Sequence, residues 1–152
     1  MSSAPTPAAA ALEGLPHRLL HYDHDGGPVT GVEAAERLGL DPDQVFKTLM
    51  TTAGVAVVPV ALRLSLKAAA RALGAKRAEM LDPAEAERRV RSVVGAISPF
   101  GLPRATPTAL DETAFLFPVI YVSGGRRGLE IEVAPQLLVD HLGAVVADLT
   151  TG

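Results

Sequence analysis

Cysteine is absent from this chain of 152 residues, so no disulfide framework, thiol nucleophile or zinc-thiolate site can be built from it. Metal-ligand patterning is missing as well. Three of the four histidines, His17, His21 and His24, crowd one segment, but strand alternation would not place all three on one face and no carboxylate pattern accompanies them. A basic excess is also lacking. Lys and Arg number 14 against 17 Asp and Glu, a net charge of −3 that argues against broad binding to nucleic acid, which usually needs a basic face, so any such contact must be local. The first sixteen residues contain no Lys or Arg, and no apolar run approaches membrane-spanning length. Neither a secretory leader nor a membrane segment is expected, and the cytoplasm is the expected location.

What is present suffices for one core. With 48% hydrophobic residues, the chain reads as a single domain over residues 6–152 behind a disordered tail at 1–5. Thr6 and Pro7 can start a short alanine helix ending near Gly14. Residues 18–24 read as an edge strand before the turn at Asp25, Gly26, Gly27 and Pro28. Thr30 with Glu33 forms a capping box for a helix with Ala34, Ala35 and Leu38 on its apolar face and Gly39 at its end. Ser65 begins a second helix through Leu73. Asp82 and Pro83 with Glu85 begin another to about Arg91, and Pro135 opens one that turns Leu137, Leu138 and Leu142 inward and stops at Gly143. Short runs rich in Val and Ile predict strands at 46–52, 55–61, 93–97, 119–122, 129–133 and 145–149, the first two joined as a hairpin through Thr52, Ala53 and Gly54. Helices and strands mix without strict alternation. That order predicts an α+β domain with a mixed, curved sheet surrounded by helices, not a doubly wound parallel one.

Four places are stranger than such a fold requires. Around Asp41, Pro42 and Gln44 a capped turn, with Gln44 able to reach back to the cap, leads straight into the strand that carries Lys47. The Lys47 ammonium is either held out to solvent on its long stem or aimed into a partly apolar cavity. Gly95 to Gly101 places glycines around Pro99 directly after an apolar strand, either an ordinary bulge and turn or a loop that presents backbone N–H groups to a ligand. Ser123, Gly124, Gly125, Arg126, Arg127 and Gly128 form either a basic hairpin tip or an anion-binding loop. Glu130 and Glu132 alternate with apolar residues and so share a side of their strand; if either points inward it needs a cationic or hydrogen-bonding partner, for which Lys47 is a candidate.

Taken in order, these pieces resemble a known family. Tyr22 with its His and Asp neighbours, the run from Leu38 through Lys47 to Leu49, Ala72 to Lys76, Val94 to Gly101 and Tyr121 to Glu132 closely resemble the YbaK/EbsC-type aminoacyl-tRNA deacylases. These are relatives of the editing domain inserted in bacterial prolyl-tRNA synthetases. The likeness spans about residues 22–148. It implies a mixed, barrel-like sheet wrapped by helices and hydrolysis of mischarged tRNA, most typically cysteine attached to the proline tRNA, with no cofactor and no metal. The partners it implies are the 3′ end of aminoacyl-tRNA and prolyl-tRNA synthetase. Lys47 matches the family's essential lysine. Gly95 and Pro99 match its G-x-x-x-P loop, within which Ser98 and Gly101 are further candidate contacts, and Tyr22, Ser123, Gly124, Gly125 and Glu130 fall on or beside substrate-binding positions. Glu130 stands where members often have aspartate, and one extra methylene reshapes a tight pocket and its amino-acid preference. The Thr52, Ala53 and Gly54 link is shorter than the corresponding hairpin of many relatives, and residues 102–105 lack the lysine cluster that often follows the loop, which predicts weaker contacts to the tRNA body.

The chemistry the resemblance implies needs no protein nucleophile. A cysteinyl ester can be attacked by its own thiol, so the protein has only to position the ester, exclude water and stabilise developing charge, tasks suited to Lys47 and to backbone N–H groups near Gly95 to Gly101. Three alternatives stand beside it: an alanyl or other small-aminoacyl deacylase using water, a lysine Schiff-base enzyme, and a non-catalytic module that binds tRNA or a synthetase.

Overall fold

The computed structural model describes residues 5–27, 29–90, 96–103 and 106–151. The first helix, α1 (Pro7–Ala11), is capped by the Thr6 hydroxyl, which accepts from the Ala9 N–H at 3.1 Å, and it buries Ala8 and Leu12. Strand β1 (Arg18–His21) follows and ends three residues earlier than its sequence pattern suggests. Helix α2 (Gly31–Leu38) closes its capping box in both directions, Glu33 N–H to Thr30 Oγ1 and Thr30 N–H to Glu33 Oε1, and stops at Gly39 in the left-handed region.

A 3-10 turn, Pro42–Gln44, is capped by Asp41, but the Gln44 side chain does not return to that cap. It donates instead to the Val119 carbonyl at 2.8 Å, tying the turn to a distant strand. Then β2 (Phe46–Thr51) and β3 (Gly54–Pro59) pair as the expected antiparallel hairpin. Next come β4 (Arg63–Leu64), α3 (Leu66–Ala72, capped by Ser65) and α4 (Pro83–Val90). Strand β5 (Thr108–Asp111), a 3-10 segment Glu112–Leu116, β6 (Ile120–Ser123), β7 (Leu129–Val133), α5 (Pro135–Leu142), β8 (Val145–Ala147) and β9 (Thr150–Thr151) complete the chain. Of the strand expected at 93–97, residues 93–95 lie outside the described residues, and Ala96 and Ile97 carry no sheet pairing. Residues 1–4 of the tail, Pro28 of the turn, Arg91 at the expected helix end, and Arg104 and Ala105 of the 102–105 segment also lie outside them.

The sheets are mixed, as the element order predicts. β1, β7 and β6 form an antiparallel sheet with β7 central and β1 at the edge. The larger sheet runs β2-β3-β5-β8, antiparallel across the hairpin and parallel across β3-β5 and β5-β8; β4 pairs with β9 in a small third ladder. Among the described residues the ladders do not close, so the barrel-like sheet that the family resemblance implies is seen only as separate mixed sheets. Along their backbones the two larger sheets meet at an isolated parallel bridge between Val45 and Tyr121, beside which β2 and β6 run together. Phe46, Val57, Leu110, Ile120, Ile131 and Leu138 fill the core between the sheets, while Val45, Val60 and Tyr121 pack under α2. No helix among the described residues is long and apolar enough to cross a membrane.

Asp111 fastens the C-terminal end. It is fully buried, with Oδ1 accepting from the Leu149 N–H at 2.8 Å and Oδ2 from the N–H and hydroxyl of Thr113. Losing these acceptors would leave the Leu149 and Thr113 N–H groups without a partner in the interior. Asp111→Ala is therefore expected to lower unfolding stability by about 2–4 kcal/mol in urea titrations; a loss below about 1 kcal/mol would show that the C-terminal segment is held by other means.

Candidate active site

The seam between the two sheets leaves a cavity of about 150 Å³. One wall is the first turn of α2, with Val29, Thr30, Gly31 and Ala34, together with Val60. Residues 45–49 of β2 form another, and Tyr22, Ile97, Ser123 and Glu130 come from the antiparallel sheet and the loop against it. Tyr22 sits just beyond β1, its N–H donating to the Gly128 carbonyl at 3.0 Å, and Glu130 faces Ser123 across the β6-β7 ladder. The fold thus brings Tyr22, Lys47, Ser123 and Glu130 to one small chamber.

Its electrostatics are unusual. Glu130 is only 5% exposed, and burial pushes its carboxyl up to about 8, so at neutral pH it is mostly protonated. Lys47 is half-buried, and burial, reinforced by the neighbouring Arg63 guanidinium, holds its ammonium below the ordinary lysine value. The two do not form an ion pair, so Lys47, the candidate partner for an inward glutamate, is not the partner of Glu130. Glu132, on the same side of the strand, accepts from the Tyr121 hydroxyl at 2.9 Å and faces Arg18 at 3.4 Å. Burial likewise raises the Tyr22 phenol. Next to Lys47 in the chain, Thr48 also lines the chamber, and its hydroxyl is buried without a hydrogen-bond partner.

Other predicted site residues lie elsewhere or act indirectly. Ser123 donates its hydroxyl to the Ala96 carbonyl at 2.7 Å and accepts from the Gly125 N–H at 3.2 Å, drawing the 96–97 segment against the sheet so that Ile97 forms part of the wall. Ser98 is buried and accepts from the Phe100 N–H at 3.2 Å; Pro99 and Gly101 line a separate depression with Ala11, Pro103 and His141. Gly95 lies outside the described residues. Gly101, at φ 76°, is a packing glycine, since a Cβ there would stand 2.5 Å from the Pro7 carbonyl carbon. Gly124 is another: its Cβ would meet the Leu129 side chain at 2.4 Å, its N–H donates to the Leu129 carbonyl, and its own carbonyl accepts from Thr6 Oγ1 at 2.6 Å. With the Gly124 and Gly125 N–H groups engaged and Arg127 donating to the Gly26 carbonyl, this loop is a braced hairpin tip.

Gly31 escaped sequence reasoning. At the first position of α2 a Cβ would fall 2.2 Å from Val60 Cγ1, so only glycine lets the helix start this close to β3 and roof the cavity. The signal was present in the sequence as a glycine just inside a capped helix, where alanine is the better helix former. A larger depression of about 650 Å³, lined by Leu15, Arg18, Glu132, Leu137 and His141, lies between α5 and the segment after α1. Its Glu132 is already engaged, and among the described residues no unpartnered buried side-chain atom faces it, so the chemistry points to the smaller chamber.

Residues 28–140 match the family model described as an aminoacyl-tRNA editing domain. The chain is 33% identical over 142 residues to the candidate Cys-tRNA(Pro)/Cys-tRNA(Cys) deacylase EbsC of Enterococcus faecalis, a match covering 90% of this chain and 87% of that protein. Among solved structures it is similar to a candidate trans-editing enzyme for prolyl-tRNA synthetase, with a TM-score of 0.85 and 27% identity over 99% of this chain and 100% of the other. It is also similar to the hypothetical protein APE2540, with a TM-score of 0.84 and 29% identity over 95% and 99% of the two chains.

The raised Glu130 carboxyl has a consequence for stability. Unfolded, the group titrates near 4.5, and folded near 8, so between those pH values the native form holds a proton that the unfolded form has released. Its contribution is complete below about pH 4.5 and is lost as pH rises toward 8. Unfolding free energy should fall by on the order of 3 kcal/mol from about pH 5 to about pH 8 through this group. Glu130→Gln, which cannot ionise, should flatten the profile; identical slopes for the two proteins would show that Glu130 ionises freely in the fold.

Proposed function

The chain belongs to the aminoacyl-tRNA editing domain family and is an aminoacyl-tRNA deacylase, and we propose that its substrate is cysteine misattached to the proline tRNA, removed in trans after release from prolyl-tRNA synthetase. The observation that carries this reading is the chamber itself. At about 150 Å³ it lies below the roughly 300–1,000 Å³ of pockets for drug-sized ligands, so it suits a small aminoacyl group and not the adenosine that follows it. The amino acid enters and the nucleotide stays at the mouth.

In the route we propose, the substrate thiol attacks the ester carbonyl. A carbon–sulfur bond forms, the carbon–oxygen ester bond breaks, the thiol proton passes to the departing ribose oxygen, and a cyclic thiolactone leaves. Lys47 stabilises the negative charge that develops on the carbonyl and ribose oxygens, an interaction stronger in the transition state than in the bound ester. Glu130, held neutral by burial, and the unpartnered Thr48 hydroxyl orient the aminoacyl group through hydrogen bonds without repelling the developing charge. A protonated carboxyl is a poor base for activating water at neutral pH, which favours the thiol route over the alanyl alternative. Tyr22 closes the side of the chamber nearest Glu130. Ser123 acts one step back, holding the wall that contains Ile97.

Release of amino acid from Cys-tRNA(Pro) and Ala-tRNA(Pro) tests the reading. Cysteine should leave preferentially, and Lys47→Ala should lower that rate by about 100-fold or more, the scale of removing one preorganised charge-stabilising group. The fold should survive, because relieving a half-buried cation of depressed pKa removes a desolvation cost. Preferential alanine release, or an active and folded Lys47→Ala protein, would overturn the thiol route or the role of Lys47 respectively.

A further inference from the structure

The charges of this acidic chain are segregated. Residues 44–78 contain Lys47, Arg63, Lys67, Arg71, Lys76 and Arg77 and not one Asp or Glu. Eight of the 14 basic residues and all 17 acidic ones lie outside that window, so the remainder carries −9. Helix α3 packs through Ala68, Ala72 and Leu73 against Leu49, Ala56 and Val58, on the face of the sheet that carries Lys47. Arg63 lies near enough to Lys47 to repel its charge, at the chamber. Lys67 and Arg71 stand four apart on α3, hence on one face of a helix whose Ala69 and Ala70 are buried. Lys67 then shares a shallow depression with Lys76 and Arg77.

Most of these cations are also unpaired. Arg63, Lys67, Arg71, Lys76 and Arg77 are exposed, and among the described residues the first four make no ion pair, while Arg77 reaches Glu79 only at 4.0 Å. Several arginines elsewhere are already occupied: Arg18 by Glu132, Arg88 and Arg89 by Glu85, and Arg37 and Arg127 by carbonyl oxygens. We propose that residues 63–77 form a track for the phosphate backbone of the substrate's acceptor arm, leading the 3′ end past Arg63 into the chamber of Lys47. This rests on the deacylase reading for its ligand, and it relocates the tRNA contact from the segment after the G-x-x-x-P loop to α3 and the turn that follows it. A row of exposed cations, most of them without an ion pair, beside a chamber for one aminoacyl group fits a polyanion whose end is the substrate.

Binding of uncharged proline tRNA, followed by fluorescence anisotropy across a salt series, tests the track without requiring catalysis. Lys67→Gln with Arg71→Gln should weaken affinity by about tenfold or more at roughly 100 mM salt and reduce the slope of log affinity against log salt by about two, one for each lost phosphate contact. The same change of net charge made as Arg18→Gln with Arg89→Gln should stay within about twofold of wild type, since those guanidiniums already face carboxylates. Equal losses from both pairs, or none from the α3 pair, would overturn the track. Deacylation of Cys-tRNA(Pro) by the α3 variant should show a raised KM and an unchanged kcat. If the wild type binds tRNA through α3 but releases no amino acid, the deacylase reading fails while the track stands.

Discussion

The two larger sheets touch along their backbones at the bridge between Val45 and Tyr121, and the site depends on how little of the seam that pairing closes. Had β2 and β6 paired along their whole lengths, hydrogen-bonded backbone would occupy the space where the chamber now lies. The seam is instead propped at intervals. Gln44 reaches the Val119 carbonyl on one side, the Ser123 hydroxyl holds the Ala96 carbonyl on another, and Gly31 lets α2 settle against Val60 as a roof. Each prop comes from a different part of the chain, so the chamber is a product of tertiary assembly. Small changes at any of them should be felt inside it, because a packed interior transmits displacement.

Within that gap the protein keeps two ionisable groups that a stability-driven design would remove. A carboxyl that burial holds protonated and an ammonium that burial and Arg63 hold below its ordinary pKa both pay for desolvation, and neither is relieved by the other. An ion pair would have been the cheaper arrangement for the empty fold. It would also have neutralised the cation to which the proposed route gives the charge-stabilising role, since a carboxylate at hydrogen-bonding distance would compete with any developing oxyanion for Lys47. Keeping Glu130 neutral by burial leaves the positive potential of Lys47 undivided.

Much of this was legible in the chain where local chemistry decides the outcome. The capping box of Thr30 and Glu33, the Gly39 and Gly143 stops and the hairpin about Thr52 and Ala53 are short-range devices, and each formed as its residues dictate. Local alternation leaves the side taken by Glu130 open, and its burial in the chamber wall follows from tertiary packing against α2 and β2. Strand β5 was missed because Thr108, Ala109, Leu110 and Asp111 hold one β-branched residue and end on an aspartate that reads as a turn. Its strand character comes from parallel partners on either side, β3 and β8, and from the Leu149 and Thr113 groups that satisfy Asp111. The glycines of the 124–125 loop misled in the opposite sense, since local pattern cannot reveal that Thr6, more than a hundred residues earlier, occupies the Gly124 carbonyl.

Net charge misleads for the same reason: it averages over a surface on which charge is sorted. A chain at −3 has no general attraction for RNA, yet the window from residue 44 to 78 presents six cations with no internal acid to pair with them. That arrangement divides the work of recognition. Phosphate contacts along the track would supply affinity common to every tRNA and sensitive to salt, whereas the chamber, which is small and holds no exposed anion, can discriminate only by the aminoacyl group. Binding strength drawn from the nucleic acid raises occupancy without favouring one ester over another, so the selection of substrate has to come from contacts made to the aminoacyl group itself, which the proposed site assigns to the chamber. An editing enzyme needs this separation. The tRNA body is identical whether the attached residue is right or wrong, and affinity invested in it cannot be allowed to decide which ester is cut.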